Sequence, residues 1–311
     1  MRLLSALAVT LIIGTNASAQ PAASTPPPAR PADQGLSALL APGATVEKVV
    51  GDLGFTEGPL WMPGGYLLFT DIPRNRIMRW HPTEGLSVHR EPSQQANGLL
   101  RDREGRLVAA EHAARRVSRT AADGTITTLV DRHEGKRLNS PNDLAEARDG
   151  SLYFTDPPYG LPQQKEGKEL EVNGVYRLSP SGTLTLLASD FERPNGLGFS
   201  PDGKTLYVAD TARQHVRAFD VQADGRLTNG RVFGVMTPWP GAQGGPDGLK
   251  VDARGHVFVT GAGGVWVFDA AGRTLGVIET PETPANCAFG DPDGKTLYIT
   301  ARTSVYRIRL R

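Results

Sequence analysis

The chain reads as an all-β protein, a six-bladed β-propeller of four-stranded antiparallel blades, and three observations carry that reading. The 36 glycines and 24 prolines among 311 residues impose many turns and short elements and disfavour long helices. A glycine followed by a short apolar, β-rich run recurs six times, beginning at Gly65, Gly105, Gly150, Gly203, Gly255 and Gly294. The spacings of 40, 45, 53, 52 and 39 residues suit one propeller blade per repeat. The last repeat stops after its third strand-like run, at 305–310, while residues 45–50, ahead of the first repeat, have the character of an outer strand. That N-terminal strand is expected to complete the last blade and close the ring, leaving no free sheet edge.

The fourth repeat shows the unit. Residues 196–200 form an inner strand, the Pro201-Asp202-Gly203 turn ends it, and runs at 205–209, 215–220 and 231–236 follow outward. Each carries the aromatic and β-branched residues that strands favour. The propeller is expected to span 40–311 as one domain. Ahead of it, Arg2, an apolar stretch over 3–14 and Ala17-Ser18-Ala19 read as a secretory signal over 1–19. A Pro/Ala-rich spacer over 20–39 follows, with no cysteine that would take a lipid anchor. A periplasmic or secreted destination is the expectation.

Composition excludes several classes. With 34 Lys+Arg against 33 Asp+Glu, a net charge of +1 gives no reason to expect nucleic acid or an anionic membrane as partner. The single cysteine, Cys287, excludes an internal disulfide framework and a Cys-rich metal or iron–sulfur site. The six histidines, at 81, 89, 112, 133, 215 and 256, lack zinc-ligand spacing. Nucleophile-elbow, P-loop and Rossmann fingerprints are all missing from the sequence.

Eight residues before each repeat glycine stand Glu57, Asn97, Asn142, Asn195, Asp247 and Asn286, all acids or amides. In a propeller these positions begin the innermost strands and surround one end of the central channel. Two carboxylates and several amide oxygens there are hard donors, which suits a divalent cation, calcium first, with zinc, manganese, magnesium or iron(II) as alternatives. Turn chemistry is the competing reading, because Asn97-Gly98, Asn195-Gly196 and Asp247-Gly248 are common turn dipeptides. Asn286, followed by Cys287, reads as a structural member that closes the polar ring.

The segments Phe55-Thr56-Glu57-Gly58-Pro59-Leu60-Trp61, Asn139-Ser140-Pro141-Asn142-Asp143, Arg193-Pro194-Asn195-Gly196-Leu197 and Gly245-Pro246-Asp247-Gly248-Leu249 resemble the senescence-marker-protein/gluconolactonase/luciferin-regenerating-enzyme-like family. Glu111-His112, Arg115-Arg116 and residues 154–160 look most like its bacterial and fungal gluconolactonase branch. The resemblance implies a cation held by Glu57, Asn195 and Asp247, with Asn142 a fourth ligand or a substrate and water contact, and hydrolysis of sugar lactones. Animal members have an arginine where this chain has Ser140, so their sugar contacts do not carry over.

In such a reaction the cation would polarise the lactone carbonyl and activate water. Asp247 is the candidate for proton removal, or a ligand only. Substrate contacts are expected from Asn97, Glu111, His112, Asp156 and Tyr159. Asp71, Glu111, Asp156 and Asp210 all end second strands and should lie near the mouth, as substrate contacts or turn caps. His112 is either a proton shuttle or a structural histidine. The 157–173 connection is a lid or a solvated loop, and Tyr159 with Trp239 would give an apolar face for a sugar. A phosphotriester hydrolase and a non-catalytic, calcium-stabilised binding propeller are the alternatives. The partner is expected to be a small-molecule sugar lactone, and the chain a monomer or weak oligomer.

Overall fold

The computed structural model describes residues 28–311. The expected secretory signal and the first part of the expected spacer therefore lie outside the described residues. Six four-stranded antiparallel sheets follow one another along the chain. Blade 1 comprises Thr56–Met62, Tyr66–Asp71, Arg76–His81 and Gly85–Arg90, and blade 2 comprises Ala96–Arg101, Leu107–Glu111, Arg116–Thr120 and Ile126–Val130. Blade 3 is Leu144–Glu146, Leu152–Asp156, Asn173–Leu178 and Leu184–Phe191, and blade 4 is Pro194–Phe199, Thr205–Asp210, His215–Val221 and Leu227–Val235. Blade 5 is Leu249–Val251, Val257–Gly261, Gly264–Phe268 and Thr274–Glu279. Blade 6 takes Pro284–Gly290, Thr296–Ala301 and Ser304–Arg309 from the C-terminus and its outermost strand, Glu47–Val50, from the N-terminus.

Burial follows the radial order within each blade. Second strands such as Leu107–Glu111, Leu152–Asp156 and Val257–Gly261 are buried along their whole length, so they read as continuous apolar runs. Outer strands such as Gly85–Arg90 and Ile126–Val130 are largely exposed, Leu86, Val88 and Ile126 included. The core consists of apolar layers between neighbouring blades. Where blade 1 meets blade 6, Leu67, Phe69 and Met78 pack with Tyr298 and Val305, and Trp61 stacks on Tyr298 at 5.2 Å between ring centroids.

The ring closure matches the expectation. Glu47 pairs with Arg307 across the closing ladder, and Arg307 donates to Glu47 Oε2 at 3.0 Å from both Nε and Nη2. The fold begins earlier than the expected boundary at residue 40, which corrects the spacer assignment. A 3₁₀ turn over Leu36–Ala38 buries Leu36, and Leu39 beside it, in the apolar cluster of blades 5 and 6. Gln34 N donates to Leu275 O at 2.7 Å, and Leu39 O accepts from Arg311 N at 2.9 Å. Two leucines three residues apart lie on one side of a 3₁₀ turn, and the Pro/Ala character of the stretch hides that short apolar patch.

Candidate active site at the channel mouth

Five residues on or just ahead of the inner strands, Glu57, Asn97, Asn142, Asn195 and Asp247, converge on one cavity of about 470 Å³. Phe55, Ile72, Pro73, His112, Tyr159 and Thr211 complete its lining. Glu57 and Asn195 are the second residues of their strands, and Asp247 stands two residues ahead of Leu249–Val251. A larger groove of about 710 Å³ runs along the closing strand, but its Arg309 is already paired with Asp293 and Asp291, and no chemistry gathers there.

The glycine that follows most ring residues serves close approach between blades and not a turn. Gly98 N donates to Asn142 O at 2.8 Å and Gly196 N to Asp247 O at 3.0 Å. A Cβ on Gly196 would lie 2.4 Å from Asp247 O, and one on Gly248 would lie 2.0 Å from Asn286 Oδ1. Only glycine lets neighbouring inner strands come so near at the channel. Asn97-Gly98 and Asn195-Gly196 lie within strands, so their spacing records the convergence of the blades.

Hydrogen bonds join the amides into a chain around the mouth. Asn97 Nδ2 donates to Asn142 Oδ1 at 2.5 Å, and Asn142 Nδ2 donates to Asn195 Oδ1 at 2.6 Å. Asn195 Nδ2 continues to Thr211 Oγ1 at 3.0 Å. His112 Nε2 lies 3.2 Å from Asn142 Oδ1 and donates to it in the Nε2–H tautomer. On the other side, Glu57 Oε2 accepts from Gly58 N at 2.6 Å and from Asn286 Nδ2 at 2.9 Å. Asn286 thus takes the structural role expected of it. It also reaches Asp143 Oδ2 at 3.3 Å, which Lys250 Nζ meets at 3.4 Å.

The electrostatics are those of an acid-rich, buried site. Burial, and then the Asp143 carboxylate, push Glu57 up to about 7 against the opposing Gly58 N–H, Asn286 and Lys250. Asp247 is raised well above the ordinary carboxylate range by burial, then by Glu57 and Asp143, with the Asn195 amide opposing. Burial pushes His112 down to about 4, so at neutral pH it is an uncharged group holding Asn142.

The site fits a cation on two observations. Buried carboxylates crowd one another with a single ammonium nearby, and Asn97 Oδ1 is buried without a hydrogen-bond partner. Among the described residues no trio of His, Cys, Asp and Glu is gathered to hold a metal. The donor set is accordingly two carboxylates with amide oxygens, the hard type that suits calcium.

Two expected substrate contacts do not reach the cavity. Glu111 is buried in an ion-pair cluster, accepting from Arg90 at 2.5 Å, Arg116 at 2.6 Å and Ser118 Oγ at 2.6 Å. Asp156 accepts from Asn139 N at 2.7 Å and Ser140 N at 2.8 Å, and burial raises it to about 7. Asp71 and Asp210 likewise hold the chain entering blades 1 and 4, through Gly54 and Phe55 N–H and through Glu192 and Arg193 N–H. In blades 1, 3 and 4 the acid that ends the second strand is therefore a clamp on the segment leading to the inner strand. Trp239 is also absent from the lining and packs against Trp266 at 5.9 Å. Tyr159 does line the cavity, and its hydroxyl lacks a partner.

Ser140 accounts for the position of Tyr159. It is fully buried, donates to Pro157 O at 2.6 Å and accepts from Gly160 N at 2.9 Å, pinning the root of the long connection. That connection is fastened further by Arg115 Nη1 to Gly167 O at 2.9 Å and by buried Leu161 and Leu170, so it is anchored at its root and at these leucines while residues 162–167 between them are exposed to solvent. Phe55, Ile72, Pro73 and Thr211 were not anticipated. Phe55 stands two residues before Glu57, and Thr211 directly follows an acid that ends a second strand, positions that could have marked both as candidates.

Residues 55–303 match the family described as the SMP-30/Gluconolactonase/LRE-like region. The chain belongs to this family. A gluconolactonase from Zymomonas mobilis is 36% identical over 300 residues, covering 89% of this chain and 84% of the relative. A pentonolactonase from Haloferax volcanii is 30% identical, with 78% and 80% covered. The structure of a gluconolactonase from Xanthomonas campestris superposes with a TM-score of 0.82 at 38% identity, covering 94% of this chain and 97% of that one. Family membership agrees with the four sequence segments, all of which lie at this mouth or on the strands leading to it.

Proposed function

We propose that the chain hydrolyses sugar lactones at this mouth with a divalent cation held by Glu57, Asn195 and Asp247, calcium being the ion that the oxygen-only donors favour. The observation that carries the reading is the buried set of carboxylates and amide oxygens in a cavity, in a chain 36% identical to a gluconolactonase. When bound, the cation supplies Lewis-acid polarisation of an ester carbonyl and a lowered pKa for water. Asp247 takes the proton of the attacking water, because it is the carboxylate on the cavity that lacks the two N–H donors engaging Glu57. Asn97, with its unpartnered oxygen, and Tyr159 contact substrate hydroxyls. Phe55, Ile72 and Pro73 seat the apolar face of the sugar ring and keep water off the reacting ester. His112 holds Asn142 and is not the proton shuttle. Residues 1–19 support a periplasmic or secreted site of action, and nothing in the reading requires a second subunit.

A pH-stat assay of glucono-δ-lactone and of a pentonolactone tests this. The reading requires acid release above the spontaneous rate with at least one of them. A folded, cation-loaded protein without turnover on either would overturn it and turn attention to phosphotriesters or to a binding role.

A further inference from the structure

The amide chain has a direction, and one hydroxyl outside the acid and amide ring sets it. Thr211 Oγ1 lies 2.6 Å from Pro246 O and 3.0 Å from Asn195 Nδ2. A backbone carbonyl only accepts, so the single hydroxyl hydrogen of Thr211 is committed to Pro246. Towards Asn195 the threonine oxygen is then an acceptor, and the Asn195 amide must present its NH₂ to it. Asn195 Oδ1 is consequently turned the other way, where it accepts from Asn142 Nδ2 at 2.6 Å. Asn142 in turn directs Oδ1 to Asn97 Nδ2 and His112 Nε2. Asn97 has spent its NH₂ on Asn142, so Oδ1 is the atom left without a partner. Reversing any one amide would set NH₂ against NH₂ or oxygen against oxygen where it meets its neighbours.

We infer that Thr211 is a positioning residue for the cation site: its hydroxyl fixes the orientation of three consecutive amides so that the oxygens of Asn195 and Asn97, and not their NH₂ groups, are offered to the cation and the substrate. The inference rests on the proposed cation reading. It extends that reading to a residue that donates nothing to the cation and acts through Asn195. Without the hydroxyl, the Asn195 NH₂ keeps only the Asp247 carboxylate and the Tyr159 hydroxyl beside it, and the acceptor that fixes the amide from outside the acid and amide ring is gone.

The test is calorimetric titration of the full chain, after chelation, with Ca²⁺ and separately with Mn²⁺. Thr211→Val removes the hydroxyl at nearly constant volume, and Thr211→Ser keeps it. Loss of a group that orients a metal ligand typically weakens binding about 10- to 100-fold. Thr211→Val should therefore weaken cation binding by about tenfold or more, and Thr211→Ser should stay within about twofold of the parent. The cation-free Tm reports folding separately, and Thr211→Ala replaces the valine variant should that one not fold. Equal affinity of parent and Thr211→Val would overturn the role of Thr211 while leaving the cation reading intact. No binding by the parent itself would overturn both. A Thr211→Ser variant as weak as the valine would also overturn the inference, because the hydroxyl would then not be what matters.

Discussion

Glu57→Gln in the cation-free protein should stabilise the fold at alkaline pH and have little effect in acid. Glu57 is buried, and the Asp143 carboxylate adds to the cost of ionising it, raising the acid from its ordinary 4.5 to about 7. A carboxyl raised in the native state contributes most to stability below its unfolded value, and that contribution is lost as pH climbs through the native one. The full effect is about 3 kcal/mol, of which about 2.5 kcal/mol falls between pH 5 and pH 8. The glutamine amide oxygen still accepts from Gly58 N and Asn286 Nδ2, so packing and hydrogen bonds are retained while the charge goes. Urea unfolding of both proteins in chelator, at pH 5 and pH 8, measures the difference. The stability of the variant relative to the parent should rise by about 2.5 kcal/mol across that interval. Cation at a hundredfold excess over its Kd should then stabilise the parent at pH 8 by about 2.7 kcal/mol and the variant by much less. A gap between the two proteins that is the same at both pH values would refute the claim that Glu57 is an uncompensated buried acid.

Other parts of the account make separate demands. Glu111→Ala should cost about 3 kcal/mol or more, because it strands Arg90 and Arg116 beside a buried gap; chemical denaturation reads this, and cation affinity should not change. The His112 ring, followed by NMR in the cation-free protein, should titrate near 4 and stay neutral from pH 5 to 8; an ordinary midpoint near 6.5 would contradict its burial against Asn142. Leu36→Ala should destabilise by about 2–3 kcal/mol, since its side chain packs into the cluster of blades 5 and 6; a neutral result would return that stretch to the status of a spacer.

Much of this was legible because a propeller writes its architecture as a period. The six-fold glycine run located the second strands, and in the fourth blade the expected 205–209 and 215–220 runs agree with the observed Thr205–Asp210 and His215–Val221. The outer strand of that blade begins at Leu227, four residues before the expected start, because Asn229 and Gly230 offer little β-propensity and the ladder to His215–Val221 recruits the stretch all the same. The ring residues were visible for the same periodic reason. Glu111 and Asp156 misled because position at a strand end does not say which way a carboxylate turns, and here backbone N–H groups or arginines claim it. The orienting role of Thr211 was not legible, although its place after a strand-ending acid was, because that role depends on a carbonyl 35 residues away, a pairing that only the fold creates. Trp239 illustrates the opposite failure: an aromatic in a connecting segment found an aromatic neighbour in its own blade region before it found the cavity.

The central claim is that one cation, held by Glu57, Asn195 and Asp247, makes this mouth a lactone hydrolase. The most direct test is to titrate the chelated protein with Ca²⁺ and read bound cation and acid release from glucono-δ-lactone on the same samples, alongside Asp247→Asn. Turnover should rise in step with occupancy of a single site in the parent, and Asp247→Asn should lose both binding and turnover. Full turnover in the chelated parent, or in Asp247→Asn, would contradict that claim.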